Sequence, residues 1–297
     1  MIVGTGNVGA SIAFSIINQR TSINELILTD INTADAEGEA MDLSDALPVA
    51  PTSLKIRSGT YKDAKSCDVI VITAGLPQKP GETRMDLLKK NASIIKTMVD
   101  EIMSSGFDGI FLVITNPIDV LTYLVWKYSG LPQNRIIGSG TVLDSARLCQ
   151  EISNFLNIHP KSIHAYQIGE HGDTEFTAWT AAHAGGEKLT SLISEPNRNQ
   201  IEERTRNKVY EIINRKGATY YGIGVCATHI LNSIFNDEHR ILPVSTYDDN
   251  NDVFYGFPSV IGRRGVCRRT NLKLSEPEAI NLQKSINSLK DAIKTVI

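Results

Sequence analysis

The sequence predicts an α/β protein: a doubly wound parallel sheet in its first half, followed by an α+β half. Three observations carry this. Short apolar segments alternate with helical patterns from the N-terminus to about Gly138. Several of those segments are β-branched and apolar on both faces, as strands buried in a parallel sheet must be. A glycine pattern, Gly4-Thr5-Gly6-Asn7-Val8-Gly9, follows the first of them directly.

The elements follow in order. Met1–Val3 reads as the first strand and Ala10–Ile17 as a helix of small and apolar residues. Strands are expected at Glu25–Thr29, Leu54–Ser58, Val69–Thr73, Ile110–Ile114 and Arg135–Gly138. Helices are expected at Asp35–Ala46, Met85–Ser104 and Asp119–Ser129. The second half opens with a helix at Leu143–Leu156, then strand-like pieces at Ile163–Tyr166 and Thr177–Trp179. Helices at Ile201–Arg215 and Tyr220–Phe235, a hairpin-like region rich in Gly, Asp and Asn, and a helix from Glu276 complete the chain. No Pro/Ser linker separates the halves, so they are expected to pack closely, with domains at residues 1–139 and 140–297. Only three residues precede Gly4, fewer than a central strand usually has, so the chain is expected either to have an unusually short first strand or to begin late.

Composition narrows the function classes. The 297 residues are 41% hydrophobic and 21% charged, which suits a globular core and excludes a disordered chain. Lys+Arg number 30 against 33 Asp+Glu, so nothing points to nucleic acid. Cys67, Cys149, Cys226 and Cys267 are widely spaced without a CxxC pair. That argues against a disulfide framework or a structural metal site and suits a reducing cytosol, so a cytoplasmic location is expected. Met1–Ile17 is apolar but holds three glycines and lacks a basic leader, so neither a targeting segment nor a membrane span is expected.

GxGxxG alone is a weak signal, because a chance turn can produce it. Here it lies between an apolar segment and a small-residue helix, and the next strand ends at Asp30, about twenty residues after the last glycine. Glycines let the backbone approach a pyrophosphate, and a helix N-terminus supplies N–H donors. Asp30 can accept hydrogen bonds from ribose hydroxyls and would repel a 2′-phosphate, which favours NAD over NADP. The plain alternative for Asp30 is a helix cap or turn residue.

Further on, His171 stands in Ile168-Gly169-Glu170-His171-Gly172-Asp173. By itself it reads as an ordinary surface or core histidine. Asp144 and Arg147, spaced i,i+3 in Leu143-Asp144-Ser145-Ala146-Arg147, read alone as a surface ion pair. Ala74-Gly75-Leu76-Pro77-Gln78-Lys79-Pro80-Gly81-Glu82-Thr83-Arg84 and Thr115-Asn116-Pro117 each follow a buried strand. Ligands bind beyond the carboxyl ends of such strands, so these loops and the glycine loop are expected to converge.

Together these motifs, in this order and spacing, resemble the L-lactate/malate dehydrogenase family over nearly the whole chain, more loosely after about Asn236. The resemblance implies a Rossmann-type first domain, NAD as cofactor, and hydride exchange with a 2-oxo acid. It implies His171 as acid/base, Asp144 as the carboxylate that orients it, and Arg84 on a closing loop as the group that polarises the carbonyl. It places Arg147 on the substrate carboxylate, with Gln78, Asn116 and Thr219 as further substrate contacts. Cofactor contacts are implied at Gly4, Gly6, Val8, Gly9, Asp30, Ala74, Gly75 and Asn116. Gln78 is neutral where malate dehydrogenases have Arg, which favours pyruvate over oxaloacetate. A bulkier 2-oxo acid, and a non-catalytic NAD-binding protein, are the alternatives. The family pattern for activation by fructose 1,6-bisphosphate pairs a basic residue with a histidine. His164 matches, but Cys149 stands at the basic position, which argues against activation. A homotetramer or homodimer is implied, and the arginines around Gly265 (Arg263, Arg264, Arg268, Arg269) are expected to form a solvated hairpin.

Overall fold

The computed structural model describes residues 1–76 and 84–297, without the side chains of Arg84 and Met85. In chain order the elements are β1 (Ile2–Val3), α1 (Asn7–Ile17), β2 (Glu25–Thr29), α2 (Thr33–Ala46), β3 (Lys55–Ser58), β4 (Val69–Ile72), α3 (Arg84–Ser104), β5 (Ile110–Val113), α4 (Ile118–Ser129) and β6 (Ile136–Gly138). There follow α5 (Val142–Leu156), β7 (Ile163–His164), β8 (Gln167–Ile168), β9 (Phe176–Thr177), β10 (His183–Ala184), β11 (Glu187–Lys188), α6 (Leu189–Leu192), α7 (Glu195–Lys216), α8 (Tyr221–Phe235), β12 (Arg240–Asp248), β13 (Val253–Gly262), β14 (Gly265–Arg269) and α9 (Glu276–Lys294).

Among the described residues one large sheet runs β14-β13-β12-β6-β5-β4-β1-β2-β3. From β6 to β3 its strands are parallel, as in a Rossmann-type sheet. The order of strands along the sheet switches direction between β1 and β4, the place beyond whose carboxyl ends ligands bind in sheets of this kind. The two-residue β1 lies inside the parallel part, between β4 and β2. Met1 extends its ladder, its amine donating to the Val69 carbonyl at 2.8 Å.

The alternation of side chains explains why β4 and β5 are apolar on both faces. Val69 and Val71 of β4, with Ile110 and Leu112 of β5, pack with Ile12 and Ile16 of α1, Leu43 of α2 and Ile230 of α8. Their neighbours Ile70, Ile72, Phe111 and Val113 face the other way, against Ile95 and Val99 of α3, Leu121 of α4 and Leu289 of α9. Each fully buried Ile, Leu or Val contributes about 1.5–3 kcal/mol, so the two cores hold the helices against both faces of the sheet.

Three features differ from the sequence-based expectation. The helix expected at Ile201–Arg215 begins at Glu195, because Ser194 and Pro196 start it and its first turns are polar without an apolar period. The piece expected at Thr177–Trp179 is β9 at Phe176–Thr177, and Trp179 falls in a 3₁₀ turn. The hairpin-like region is three long strands that join the main sheet, with Ser245 of β12 opposite Gly138 of β6. Both halves of the chain therefore share one sheet. Around Gly265 the arginines do form an exposed hairpin, except Arg269, whose guanidinium lies 4.3 Å from the Tyr255 ring centroid. Among the described residues no helix is long and apolar enough to cross a membrane.

Candidate active site

The glycine loop is shaped by backbone proximity. Gly4 has φ +98, and a Cβ there would stand 2.6 Å from the Ala74 nitrogen. A Cβ on Gly9 would stand 1.9 Å from the Gly4 carbonyl oxygen. Both positions therefore need glycine to bring α1 and the segment after β4 against the loop. Gly6 is different: a Cβ there would meet nothing within 4 Å. This glycine lines open space at the start of α1, which has no side-chain cap and no acidic residue in its first turn. Free backbone N–H groups and a positive helix end suit a pyrophosphate. Val8, in that first turn, is partly buried against the core.

Asp30 directly follows β2, beside the glycine loop. Its Oδ2 accepts from the Thr5 backbone N–H at 2.7 Å and its Oδ1 from the Asn32 N–H at 3.0 Å. It caps no helix, since Asn32 holds the N-cap position of α2. The carboxylate is thus fixed next to the loop as ribose recognition needs, and it presents negative charge where NADP would carry phosphate. Ile31, next to it, is fully exposed and offers an apolar surface.

The two other loops are tied to this one. The Thr115 hydroxyl donates to the Ala74 carbonyl at 2.8 Å, and a Cβ on Gly75 would meet Thr115 Cγ2 at 2.3 Å. Asn91 of α3, buried, accepts from the Leu76 N–H at 2.8 Å and donates to the Asn116 carbonyl at 3.0 Å. Gly4, Gly9, Ala74, Gly75 and Asn116 are thereby brought together, with the Asn116 side chain exposed. Gln78 lies outside the described residues, as does the side chain of Arg84.

The charged centre is built from α5, the His171 segment and the α7–α8 loop. Asp144 sits in the first turn of α5, where the helix dipole favours its charge, and Arg147 one turn later. They are not a surface pair, because both are buried. Asp144 Oδ1 accepts from Arg147 Nη1 at 3.1 Å, and Oδ2 lies 2.7 Å from His171 Nδ1. That contact makes Nδ1 the protonated nitrogen and leaves Nε2 for a substrate. Burial alone would lower the His171 pKa, but the charge and hydrogen bond of Asp144 outweigh it and push it up to about 9. Burial likewise opposes the Asp144 charge, and His171 and Arg147 together hold its pKa below the usual carboxylate value. Arg147 Nη2 approaches the Thr219 hydroxyl at 3.5 Å, which brings the α7–α8 loop to the same place.

Several residues that complete the site were missed from the sequence. Asp119, in the first turn of α4, is buried; it accepts from the His171 backbone N–H at 2.7 Å and from the Ser245 hydroxyl at 2.5 Å. Burial pushes its pKa up to about 6 against those hydrogen bonds. Gly169 (φ +97) exchanges two backbone hydrogen bonds of 2.9 Å with Gly256 of β13. Ser285 of α9 donates to the Thr174 carbonyl at 2.7 Å. The His171 segment is therefore held by β13, α4 and α9. Asn91 and Asp119 carry no sequence signal beyond being polar helix residues; only the acidic first turn of α4 hints at the second.

The comparisons agree with this geometry. Residues 1–138 match the family model of the lactate/malate dehydrogenase NAD binding domain, and residues 141–297 that of the lactate/malate dehydrogenase alpha/beta C-terminal domain. L-lactate dehydrogenase 1 of Bacillus cereus (strain ATCC 10987 / NRS 248) is 49% identical over an alignment 307 positions long, covering 100% of this chain and 98% of that relative. A lactate dehydrogenase from a Medee basin deep-sea metagenome library has a TM-score of 0.97 at 47% identity, over 99% of this chain and 97% of the other. The minor L-lactate dehydrogenase of Enterococcus mundtii in its ligands-bound form has a TM-score of 0.96 at 43% identity, over 100% of this chain and 97% of the other. With the glycine loop, Asp30 and the buried His171–Asp144–Arg147 array at one end of the sheet, and both halves matched, the chain belongs to the lactate/malate dehydrogenase family.

Proposed function

We propose that this protein is an NAD-dependent L-lactate dehydrogenase that interconverts pyruvate and L-lactate. The observation that carries the reading is the buried array of His171, Asp144 and Arg147 beside an uncapped glycine loop. When bound, NADH supplies a hydride to the carbonyl carbon. The remaining work falls to the chain. Arg147 exchanges its Asp144 contact in part for the substrate carboxylate, which its planar fork can hold bidentately. His171, imidazolium at neutral pH, gives its Nε2 proton to the oxygen that becomes the hydroxyl, and takes it back in the reverse direction. Asp144 keeps the ring oriented and stabilises its charged form. Thr219, within reach of Arg147, lines the substrate side, and Asn116 meets the carbonyl and nicotinamide end. Gln78 and Arg84 keep their proposed roles in substrate choice and carbonyl polarisation.

Residues 1–139 are proposed as the NAD-binding domain and residues 140–297 as the substrate domain. Exposed apolar side chains at Phe14, Met41, Val49, Tyr221 and Val225 support assembly with further copies of the chain, as a homotetramer or homodimer. Four free cysteines support a cytoplasmic location. Cys149 lies against the Ile163 and Ala165 carbonyls, and a thiol, neutral or anionic at any pH, offers no cation to a bisphosphate.

NADH oxidation measured with pyruvate, 2-oxoisocaproate and oxaloacetate tests the reading. Pyruvate is expected to have the highest kcat/KM; a preference for either of the others overturns the assignment. Gln78→Arg is expected to raise oxaloacetate turnover relative to pyruvate, and an unchanged ratio removes Gln78 from substrate choice.

A further inference from the structure

Beside the His171–Asp144 pair stands a second carboxyl that the mechanism above does not use. The Glu175 side chain is only 10% exposed, and its Oε2 lies 4.0 Å from His171 Nδ1. That is too long for a hydrogen bond, and Asp144 already holds the Nδ1 proton at 2.7 Å. Glu175 Oε2 is buried and has no hydrogen-bond partner among the described residues. Ligand-type atoms of Asp144, His171 and Glu175 all lie within 4.8 Å of one another. Two carboxyls thus share one imidazole, and only Asp144 has its charge matched by close donors. A metal ion is disfavoured there, because Arg147 already brings positive charge to Asp144 and His171 is itself cationic.

We propose that Glu175 is a positioning residue of this site: it is protonated when the 2-oxo carboxylate binds, and its ionisation weakens substrate binding without entering the proton transfer. The proposal rests on the lactate dehydrogenase reading. Its physical basis is the cost of a second, unpaired carboxylate in a buried pocket. The groups that face Glu175 are Asp144 and Arg147 of α5, His171 of its own segment and Arg206 of α7. Burial and the Asp144 charge push its pKa up to about 8, against the opposing pull of His171, Arg147 and Arg206. Around neutral pH it is therefore the uncharged acid. Above that range its ionisation adds a full negative charge beside Arg147 and His171, the groups that receive an anionic substrate. The effect belongs in KM. Hydride transfer takes place in complexes that already hold substrate, so kcat follows His171 and the cofactor instead.

Glu175→Gln tests this, because the amide copies the neutral acid and cannot ionise. Pyruvate KM and kcat are measured for both proteins between about pH 6.5 and about pH 9. The ratio of wild-type to variant KM is expected to rise at least about threefold over that range, because the wild type loses a second proton that the variant lacks. The kcat ratio is not expected to follow. Parallel KM profiles overturn the proposal. Isotope-edited infrared spectra of the wild-type protein, labelled at glutamate carboxyls and compared with Glu175→Gln, give a readout independent of turnover. A protonated carboxyl stretch near neutral pH that disappears as pH rises is expected, and its absence overturns the proposal. Wild-type protein that oxidises NADH with 2-oxoisocaproate or oxaloacetate but not with pyruvate counts against the assigned substrate. Parallel profiles with normal pyruvate turnover count against Glu175 alone.

Discussion

At the glycine loop the binding surface is backbone, whereas at His171 it is charge held in place by other charges. Gly4 and Gly9 fit because a Cβ at either would collide with neighbouring main chain, and Gly6 leaves space at an uncapped helix end. Side chains support this backbone from outside: Asp30 holds Thr5 and Asn32, the Thr73 hydroxyl donates to the Gly4 carbonyl at 2.7 Å, and Thr115 and Asn91 tie in the neighbouring loops. At His171 the backbone is only a support. Asp144, Arg147, Asp119 and Glu175 surround one imidazole, and burial strengthens each interaction while penalising every unpaired charge. The difference teaches that the same cleft fails in two ways. Steric change closes the cofactor side, and a single lost charge unbalances the substrate side.

The largest expected effect on the charged side is from His171→Gln. Turnover should fall by about a thousandfold or more, the scale of lost acid–base catalysis. NADH affinity, read by fluorescence titration, should change by less than about twofold, since the ring lies outside the backbone cradle. Retained turnover would remove His171 from the mechanism. Next comes Arg147→Lys, which keeps the charge and loses the fork. Pyruvate kcat/KM is expected to drop about a hundredfold, mostly in KM. A drop confined to kcat would show that Arg147 acts through Asp144 rather than on the carboxylate.

Asp119→Asn probes the support under His171. Its folded pKa, about 6, lies above the value near 3.8 of a free aspartate, so the folded state binds the extra proton. Wild-type stability should therefore decline as pH rises from about 4 to about 6, by about 2–3 kcal/mol from this residue. The variant lacks that decline, so its unfolding free energy relative to wild type should improve across the same window. Urea unfolding at several pH values checks this; a constant difference would show that Asp119 ionises freely. The smallest effect contrasts two glycines. Gly6→Ala should leave Tm within about 2 °C, because its Cβ meets nothing, yet weaken NADH by about tenfold by filling the cradle. Gly9→Ala should lower Tm as well as NADH affinity. Equal Tm loss in the two variants would contradict the steric account of the loop.

The loop side of this contrast was largely legible in the sequence, and the charged side only partly. The glycine spacing, Asp30 and the apolar strands are local signals, each read within a few residues of chain. His171, Asp144 and Arg147 could be nominated from their motifs, but read singly they were a lone histidine and a surface ion pair. Asp119 and Glu175 gave no such signal, because an acidic residue in a helix's first turn or a polar loop is ordinary. Glu175 became notable only with one oxygen buried and bare. The hairpin-like character of the region after α8 is legible in the sequence, but its place in the main sheet is not. That place depends on Ser245 meeting Gly138, a pairing across more than a hundred residues that no local pattern encodes.

What the sequence determined by itself was the strand–helix alternation, the glycine loop and the set of polar side chains that the motifs single out. Those follow from side-chain period, glycine's missing Cβ and the chemistry of single residue types. Only the tertiary structure decided which charges are buried together. Burial and partner distance set the charge states of His171, Asp119 and Glu175, and both arise where α4, α5, β13 and α9 meet.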